Sequence, residues 1–186
     1  GNREEIRLLY KYDIFCPKMK PRIEKINQYK VLLCGNVPQS IYPLPEGGYW
    51  LEMVPEKEPK SVLILGFGGG TIARAILKRY PKAKITGVEN NPEIFSLSKK
   101  HMKLDEIKAK IIEEDAFKFV YETHKEFDLI IVDLWDGSQF QVRIFSPEFI
   151  EQCKRLLTDG GNIYINCPHL DQLAIDRGIQ VRTEVG

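Results

Sequence analysis

Cysteine and histidine are scarce in this chain of 186 residues, which has four cysteines and three histidines. The cysteines are Cys16, Cys34, Cys153 and Cys167, and none of them forms a CxxC pair. A disulfide-stapled secreted domain has a denser set of cysteines, so we expect reduced thiols and a cytoplasmic protein. Cys167 and His169 are close in sequence, but no second pair completes a metal site, and we expect no metal.

Long apolar runs and an excess of either charge are also missing. No apolar stretch approaches the ~20 residues of a membrane-spanning helix, and the N-terminal residues show no signal-peptide pattern, so no membrane contact is expected. The net charge of +1 gives no electrostatic reason to expect a nucleic-acid partner. With 43% hydrophobic and 28% charged residues, the composition favours a globular domain with at most a small appendage.

Short apolar runs alternate with segments of helical spacing from Ser61 onward. This alternation predicts a mostly parallel sheet with helices on both faces, in a Rossmann-like, doubly wound α/β fold. Ligands of such sheets bind at the carboxyl ends of the strands. The predicted strands are 62–65, 84–89, 110–113, 129–132 and 162–166, and the predicted helices are 71–80, 92–103, 116–124 and one that begins at Pro147 and closes at Gly160-Gly161.

The N-terminal part of the chain has a different pattern. Residues 3–12 are compatible with a helix, and the short apolar runs of residues 30–53 are broken by Gly-Asn and Gly-Gly pairs, which indicates hairpin-like β structure. We therefore expect an N-terminal segment with a β-hairpin region over residues 1–55 and a Rossmann-like ligand-binding domain over residues 56–186.

A glycine-rich loop, 66-GFGGGTIARA-75, follows the first predicted strand of the domain. Gly66, Gly68 and Gly70 would let a ligand approach the backbone and the start of the next helix. The dinucleotide fingerprint GxGxxG needs a glycine where this chain has Thr71, which disfavours an NAD oxidoreductase. An S-adenosyl ligand, which has no pyrophosphate, is the other interpretation, and a structural turn without ligand stays open.

Acidic residues lie at or just after the ends of the next two predicted strands. Glu89 ends the second strand, where a carboxylate can accept both hydroxyls of a ribose. Asp115 follows the third strand and could accept from an adenine amino group, while the N–H of Ala116 could donate to the ring. A solvent-facing acid at residue 89 and a helix cap at Asp115 are the structural alternatives.

Two carboxylates and a tryptophan follow the fourth predicted strand, in 127-FDLIIVDLWDGSQF-140. With an S-adenosyl sulfonium as donor, we interpret Asp133 as the group that positions or deprotonates an amine acceptor that attacks it. We interpret Asp136 as a partner for a second ammonium of the same acceptor. Trp135 could add a cation–π contact and exclude water. The alternative is that Asp136 and Gly137 form a turn and that Trp135 is a packing residue.

Taken together, VLILGFGGG, GVENN, EDAFKFV, DLIIVDLWDGS and GGNIYINCP resemble the spermidine synthase-like (polyamine aminopropyltransferase) family, within the class I, S-adenosylmethionine-dependent methyltransferase superfamily. The resemblance covers about residues 30–167. It implies aminopropyl transfer from decarboxylated S-adenosylmethionine to a polyamine, with Asp133 and Asp136 at the positions of the family's two aspartates. Gln39 falls at the glutamine of the family's Asp-Gly-x-x-Gln element. A similar N-terminal hairpin assembles oligomers in the family, so the resemblance also implies a homo-oligomer.

This chain departs from the family pattern at several positions. Gly69 replaces the aspartate of GGGDGG, which in the family is associated with the amino group of the decarboxylated donor. Cys34 replaces the aspartate of Asp-Gly-x-x-Gln, and 50-WLEM-53 corresponds to Tyr-Gln-Glu-Met with Leu51 at the glutamine. Asp-Leu-Trp-Asp-Gly stands for Asp-Ser-Ser-Asp-Pro. A methyltransferase that uses S-adenosylmethionine is therefore an alternative, and a non-catalytic S-adenosyl-nucleotide-binding module is a third.

Overall fold

An antiparallel sheet of three strands forms the N-terminal part of the structure, a computed structural model that describes residues 20–136, 139–140, 142–166 and 181–182. Its strands are β1 (Pro21–Ile26), β2 (Tyr29–Cys34) and β3 (Val37–Tyr42), paired in that order. The predicted β-hairpin is thus confirmed between β2 and β3, and β1 extends it. The helix predicted at residues 3–12 lies outside the described residues, as do Gly137, Cys167 and His169.

The predicted β structure does not extend to residue 53, because the Gly47-Gly48 pair leads into a helix. Gly48, with φ 101°, instead begins the short helix α1 (Tyr49–Glu52). Two prolines, Pro43 and Pro45, precede this helix and lack the N–H groups that another paired strand would need. The chain therefore leaves the small sheet after β3 and crosses to the central sheet.

The helices and strands that follow α1 are, in chain order, β4 (Ser61–Leu65), α2 (Thr71–Arg79), β5 (Lys84–Glu89), α3 (Pro92–His101), β6 (Ala109–Glu113), α4 (Ala116–Glu122), β7 (Phe127–Val132), β8 (Trp135–Asp136), β9 (Gln139–Phe140), α5 (Pro147–Arg155), β10 (Leu157–Asn166) and β11 (Val181–Arg182). Six of these strands form the parallel central sheet, in the order β6-β5-β4-β7-β10-β11. β8 and β9 form a separate two-stranded antiparallel ribbon that the sequence pattern did not predict. The doubly wound α/β prediction is confirmed.

Both faces of the central sheet are buried, which explains why the central strands β4 and β7 are apolar at every position except Ser61 and Asp128. Leu63 and Ile130 pack in the core cluster that includes Phe149 of α5, whereas Ile64 and Ile131 pack in the cluster that includes Ile76 of α2. The strand order reverses between β4 and β7, so the ends of these two strands form the switch point at which ligands of such sheets bind.

Two predicted helix starts, at Pro92 and Pro147, are confirmed by side-chain caps. Asn91 accepts hydrogen bonds from the N–H groups of Glu93 and Ile94, and Ser146 accepts one from Phe149. The predicted helix end at Gly160-Gly161 is wrong, because α5 ends at Arg155 and both glycines lie in β10. Leu157 already pairs with Phe127, and the register shift before Asn162 uses the positive φ of Gly160.

The small sheet is attached to the central domain through one of its faces. Leu32 and Cys34 of β2 pack against Ile94 and Met102, at the two ends of α3. This contact holds β3 beside the glycine loop that follows β4. Within the described residues, no helix combines the length and the apolar character needed to cross a bilayer.

Candidate active site

The ends of β4 and β7 meet at Gly66. The N–H of Asp133 donates to the carbonyl of Leu65 at 2.9 Å, and the N–H of Gly66 donates to the carbonyl of Val88 at the same distance. A Cβ on Gly66, whose φ is 84°, would overlap the carbonyl of Asp133. Only glycine therefore lets the loop and the acid lie side by side at the switch point.

Two residues of β3 hold the glycine loop from the other side. The hydroxyl of Ser40 accepts a hydrogen bond from the N–H of Gly69 at 2.7 Å, and Ser40 is only 1% exposed. The hydroxyl of Thr71 accepts from the N–H of Ile41 and donates to its carbonyl. Thr71, the residue that breaks the dinucleotide fingerprint, thus connects the N-terminal sheet to the start of α2.

Glu89 lies at the end of β5 and is 8% exposed, so it is not a solvent-facing acid. Its Oε1 accepts the N–H of Gly68 at 2.9 Å, and its Oε2 accepts the N–H of Asn91 at 3.0 Å. Burial raises the pKa of Glu89, the backbone hydrogen bonds oppose this rise, and the nearby charge of Asp133 adds to it. A third backbone hydrogen bond comes from Asn90, and because the two carboxylate oxygens have four lone pairs, Glu89 keeps capacity for a ribose hydroxyl.

Asp115 caps helix α4, since its Oδ1 accepts the N–H of Lys118 at 2.9 Å. The capping interpretation is therefore confirmed. Ala116 is the first residue of this helix and is buried, and its N–H is one of those that helix geometry leaves without an intrahelical acceptor. The adenine contacts predicted for Asp115 and Ala116 stay predictions.

Three side chains donate hydrogen bonds to Asp133, which is partly buried. Oδ1 accepts from Trp135 Nε1 at 3.1 Å and from Asn166 Nδ2 at 3.0 Å, and Oδ2 accepts from the hydroxyl of Tyr49 at 3.0 Å. Burial raises the pKa of Asp133 above the usual aspartate range, and these three hydrogen bonds oppose the rise. The result is a shielded carboxylate that binds a proton more readily than a surface aspartate.

The predicted acceptor-binding residues have different outcomes. The indole of Trp135 bonds to Asp133, and its cation–π role stays a prediction. Asp136 is placed in β8, but its side chain lies outside what the structure describes. Gln39 lies next to Ser40 in β3, with its backbone carbonyl near Gly68 and its side-chain amide directed to the carbonyl of Val37 at 3.5 Å, and its contact with the acceptor stays a prediction.

Sequence reasoning missed Tyr49, Ser40 and Asn166. The resemblance placed Trp50 at the family's tyrosine, whereas the hydroxyl that reaches Asp133 belongs to the preceding residue, Tyr49. Asn166 carries a usable signal, because it is a polar residue that directly follows the apolar run of residues 163–165. Ser40 carried none, since its partner Gly69 is 29 residues away in sequence.

Two further clefts lie away from this group. One, of about 440 Å³, lies on the outer face of the small sheet beside Trp50, and the other, of about 540 Å³, lies between Leu51 and α2. Among the described residues, no three His, Cys, Asp or Glu side chains come close enough together to hold a metal ion. The candidate site is therefore defined by the side chains at the strand ends.

Parallel strands in this order, with helices on both faces and a glycine loop at the switch point, define an α/β fold of the methyltransferase-like type. Within that class, the model of the spermine/spermidine synthase domain matches residues 51–176, which is more than half of the chain. The chain therefore belongs to the spermine/spermidine synthase family, and the sequence resemblance is confirmed.

Individual relatives agree with this assignment. A polyamine aminopropyltransferase of Sulfurisphaera tokodaii is 34% identical over 107 residues, which are 53% of this chain and 35% of the relative. A probable spermidine synthase from Corynebacterium glutamicum has a TM-score of 0.65 at 24% identity and covers 77% of this chain and 58% of that one. A spermidine synthase in complex with the transition-state analogue AdoDATO has a TM-score of 0.63 at 24% identity, with coverage of 77% and 53%. These two structures show the fold, and the chain spans about a third of the length of the curated relative.

Proposed function

We propose that the protein transfers an aminopropyl group from decarboxylated S-adenosylmethionine to the amine of a polyamine. The observation that carries this proposal is the position of Asp133, a carboxylate of raised pKa beside the glycine loop, in a chain of the spermine/spermidine synthase family. The names of the curated relative and of the analogue-bound structure support the same activity. A cytoplasmic homo-oligomer without a metal is part of the proposal.

The chemistry needs an amine with a free lone pair next to an electrophilic carbon. The amine nitrogen attacks the aminopropyl carbon bonded to the sulfonium, the C–S bond breaks, and its electron pair stays on sulfur as a neutral thioether. The positive charge of the sulfonium is then on the nitrogen, and the nitrogen becomes neutral when it gives a proton to Asp133. A positioned base of this kind contributes typically ~10²–10⁴-fold in rate.

The donor would lie across the ends of β4, β5 and β6. The glycines at 66, 68 and 70 leave the backbone open to it, Glu89 would receive the ribose hydroxyls, and Asp115 with the N–H of Ala116 would contact the adenine. Asp136, Gln39 and Trp135 would line the acceptor side, where a second ammonium of the polyamine needs a negative partner. The Coulombic effect of Asp133 on Glu89 is consistent with one acidic cleft for a cationic ligand pair.

One observation favours a second candidate, methyl transfer from S-adenosylmethionine. A Cβ on Gly69 would overlap the sulfur of Met102 and come within 2.8 Å of Ser40 Cβ, so this packing leaves no room for an acid at the position of the family's aspartate. Without that acid, the loop has no anion at residue 69 to repel the carboxylate of S-adenosylmethionine. The carboxylated donor is therefore the competitor to test.

Calorimetric titration distinguishes the two candidates. The protein is titrated with decarboxylated S-adenosylmethionine, with S-adenosylmethionine and with methylthioadenosine, each at the same ionic strength. Aminopropyl transfer predicts that the decarboxylated donor binds at least about tenfold more tightly than the carboxylated one, a difference of about 1.4 kcal/mol. The reverse order would favour methyl transfer. Donor binding without product formation in a separate transfer assay would favour the non-catalytic module.

A further inference from the structure

We propose that Asn166 and Trp135 are positioning residues that hold Asp133 by Oδ1, so that Oδ2 is the atom that receives the proton of the attacking amine. This inference rests on the proposed function. It adds which carboxylate oxygen accepts the proton and which residues fix the orientation of that carboxylate. It comes from how the three donors divide between the two carboxylate oxygens.

The division of donors is unequal. Oδ1 accepts two hydrogen bonds, from the indole N–H of Trp135 and the amide of Asn166, and so uses both of its lone pairs. From the described residues, Oδ2 accepts one hydrogen bond, that of the Tyr49 hydroxyl, which leaves one lone pair for a ligand. A proton donor that approaches Asp133 therefore meets an available lone pair at Oδ2.

Asn166 reaches Asp133 because of the register of the central sheet. Ile165 of β10 pairs with Val132, the last residue of β7. Asn166, which ends β10, therefore lies beside Asp133, which directly follows β7. Asn166 is 6% exposed. Since a carboxylate only accepts, the amide nitrogen must face it, and a buried carboxamide in this position cannot turn away without losing its partner.

The two donors to Oδ1 come from different elements. Trp135 lies only two residues after Asp133 in the same segment of the chain. Asn166 belongs to the neighbouring strand β10, 33 residues away. Trp135 alone would move together with the loop that carries Asp133. Asn166 therefore fixes the carboxyl to the sheet, and Trp135 closes the second lone pair.

The groups that act on the charge of Asp133 can be named for the described residues. The charge of Asp133 raises the pKa of Glu89 at the end of β5, so Glu89 is the acidic neighbour of like charge, and the titratable hydroxyl of Tyr49 from α1 favours ionisation of Asp133 by hydrogen bonding. Asn166 and Trp135 are neutral at every pH used in an assay. A shift of the Asp133 pKa in Asn166→Leu therefore reports the lost hydrogen bond and not a second titration, whereas Asn166→Asp adds a like charge on purpose.

The test compares variants at two asparagines of the same strand. Asn166→Leu removes the donor at similar volume, and Asn166→Asp replaces it with an acceptor that carries like charge. Asn162→Asp, at an exposed residue of β10, is the matched control and should behave like the unaltered protein. The pKa of Asp133 is read from its carboxyl ¹³C signal in the donor-free protein, and this signal is assigned by its absence in Asp133→Asn.

We expect the pKa of Asp133 to be higher in Asn166→Leu than in the unaltered protein, and higher still in Asn166→Asp. In Asn162→Asp, the pKa of Asp133 should be unchanged. In the transfer assay, the acid limb of kcat should move to higher pH in the same order, and kcat near neutral pH should fall by up to ~10²-fold. An unmoved carboxyl titration with an equal loss of kcat at every pH would overturn the inference. Absence of any transfer by the unaltered protein would instead overturn the proposed function, while the carboxyl titration would still test the positioning role.

Discussion

The hydroxyl of Thr71 accepts a hydrogen bond from the backbone N–H of Ile41 at 2.9 Å and donates one to the carbonyl of the same residue at 3.1 Å. Thr71 is the first residue of α2, and Ile41 belongs to β3 of the small sheet. One side chain thereby binds both polar groups of a backbone unit from another sheet. The glycine loop is thus held at Thr71 by these two hydrogen bonds and at Gly66 by the hydrogen bond to Val88.

Removal of this hydroxyl should loosen the small sheet from the loop. In Thr71→Val, the N–H and the carbonyl of Ile41 both lose their partner, which should cost about 1–3 kcal/mol of folding free energy. Donor affinity should fall as well, because Ser40 of the same strand holds Gly69. Chemical denaturation and donor titration measure the two effects. Thr71→Ser keeps the hydroxyl and is the control, and equal behaviour of the two variants would contradict the role of Thr71.

Asp133→Asn should abolish transfer and leave the site intact. The amide oxygen can take the place of Oδ1 and accept from Trp135 and Asn166, while the amide nitrogen can donate to the hydroxyl of Tyr49. We expect kcat to fall by about 10²–10⁴-fold and donor affinity to change little. Steady-state kinetics and calorimetry check the two expectations. Full activity of this variant would remove Asp133 from the mechanism.

The same variant should change how stability depends on pH. Because burial raises the pKa of Asp133 in the folded protein, its contribution to stability is fully present below the unfolded pKa and is lost as the pH rises through the folded pKa. Asparagine does not titrate. As the pH rises from the unfolded to the folded pKa of Asp133, the melting temperature of Asp133→Asn should therefore increase relative to that of the unaltered protein. Thermal melts between the two pKa values measure the difference, and parallel curves would show that the pKa is not raised.

Gly69→Asp should fail to restore the family's loop. The new side chain would collide with Met102 and Ser40, and such overpacking typically costs about 1–3 kcal/mol. In Gly69→Asp/Met102→Ala, part of the collision is relieved, so the two changes together should cost less than the sum of the single changes. A double-mutant cycle by chemical denaturation gives this coupling. Additive costs would mean that Met102 does not close the position.

The elements of this fold could be predicted where each depends on local sequence. The apolar runs that became β4, β5 and β7, and the caps Asn91 and Ser146, are properties of short segments. The end of α5 could not be predicted, because Gly160-Gly161 resembles a helix stop and only the pairing with β7 makes it part of a strand.

The candidate site could be predicted only in part for a related reason. Asp133 and Glu89 can be predicted because Asp133 directly follows a predicted strand, Glu89 ends another, and the strands of a parallel sheet end at the same edge. Tyr49 is 84 residues from Asp133 and reaches it through a crossing of the chain that no local pattern encodes. The neighbours that set the chemistry of an acid are thus less visible in sequence than the acid itself.

The most direct test of the account is product analysis with both donors. The protein is incubated with a 1,4-diamine and either decarboxylated S-adenosylmethionine or S-adenosylmethionine, and the products are identified by mass spectrometry, with Asp133→Asn in parallel. We predict an aminopropylated diamine and methylthioadenosine from the decarboxylated donor, and neither product from the variant. A methylated product from S-adenosylmethionine, with no turnover of the decarboxylated donor, would contradict the account.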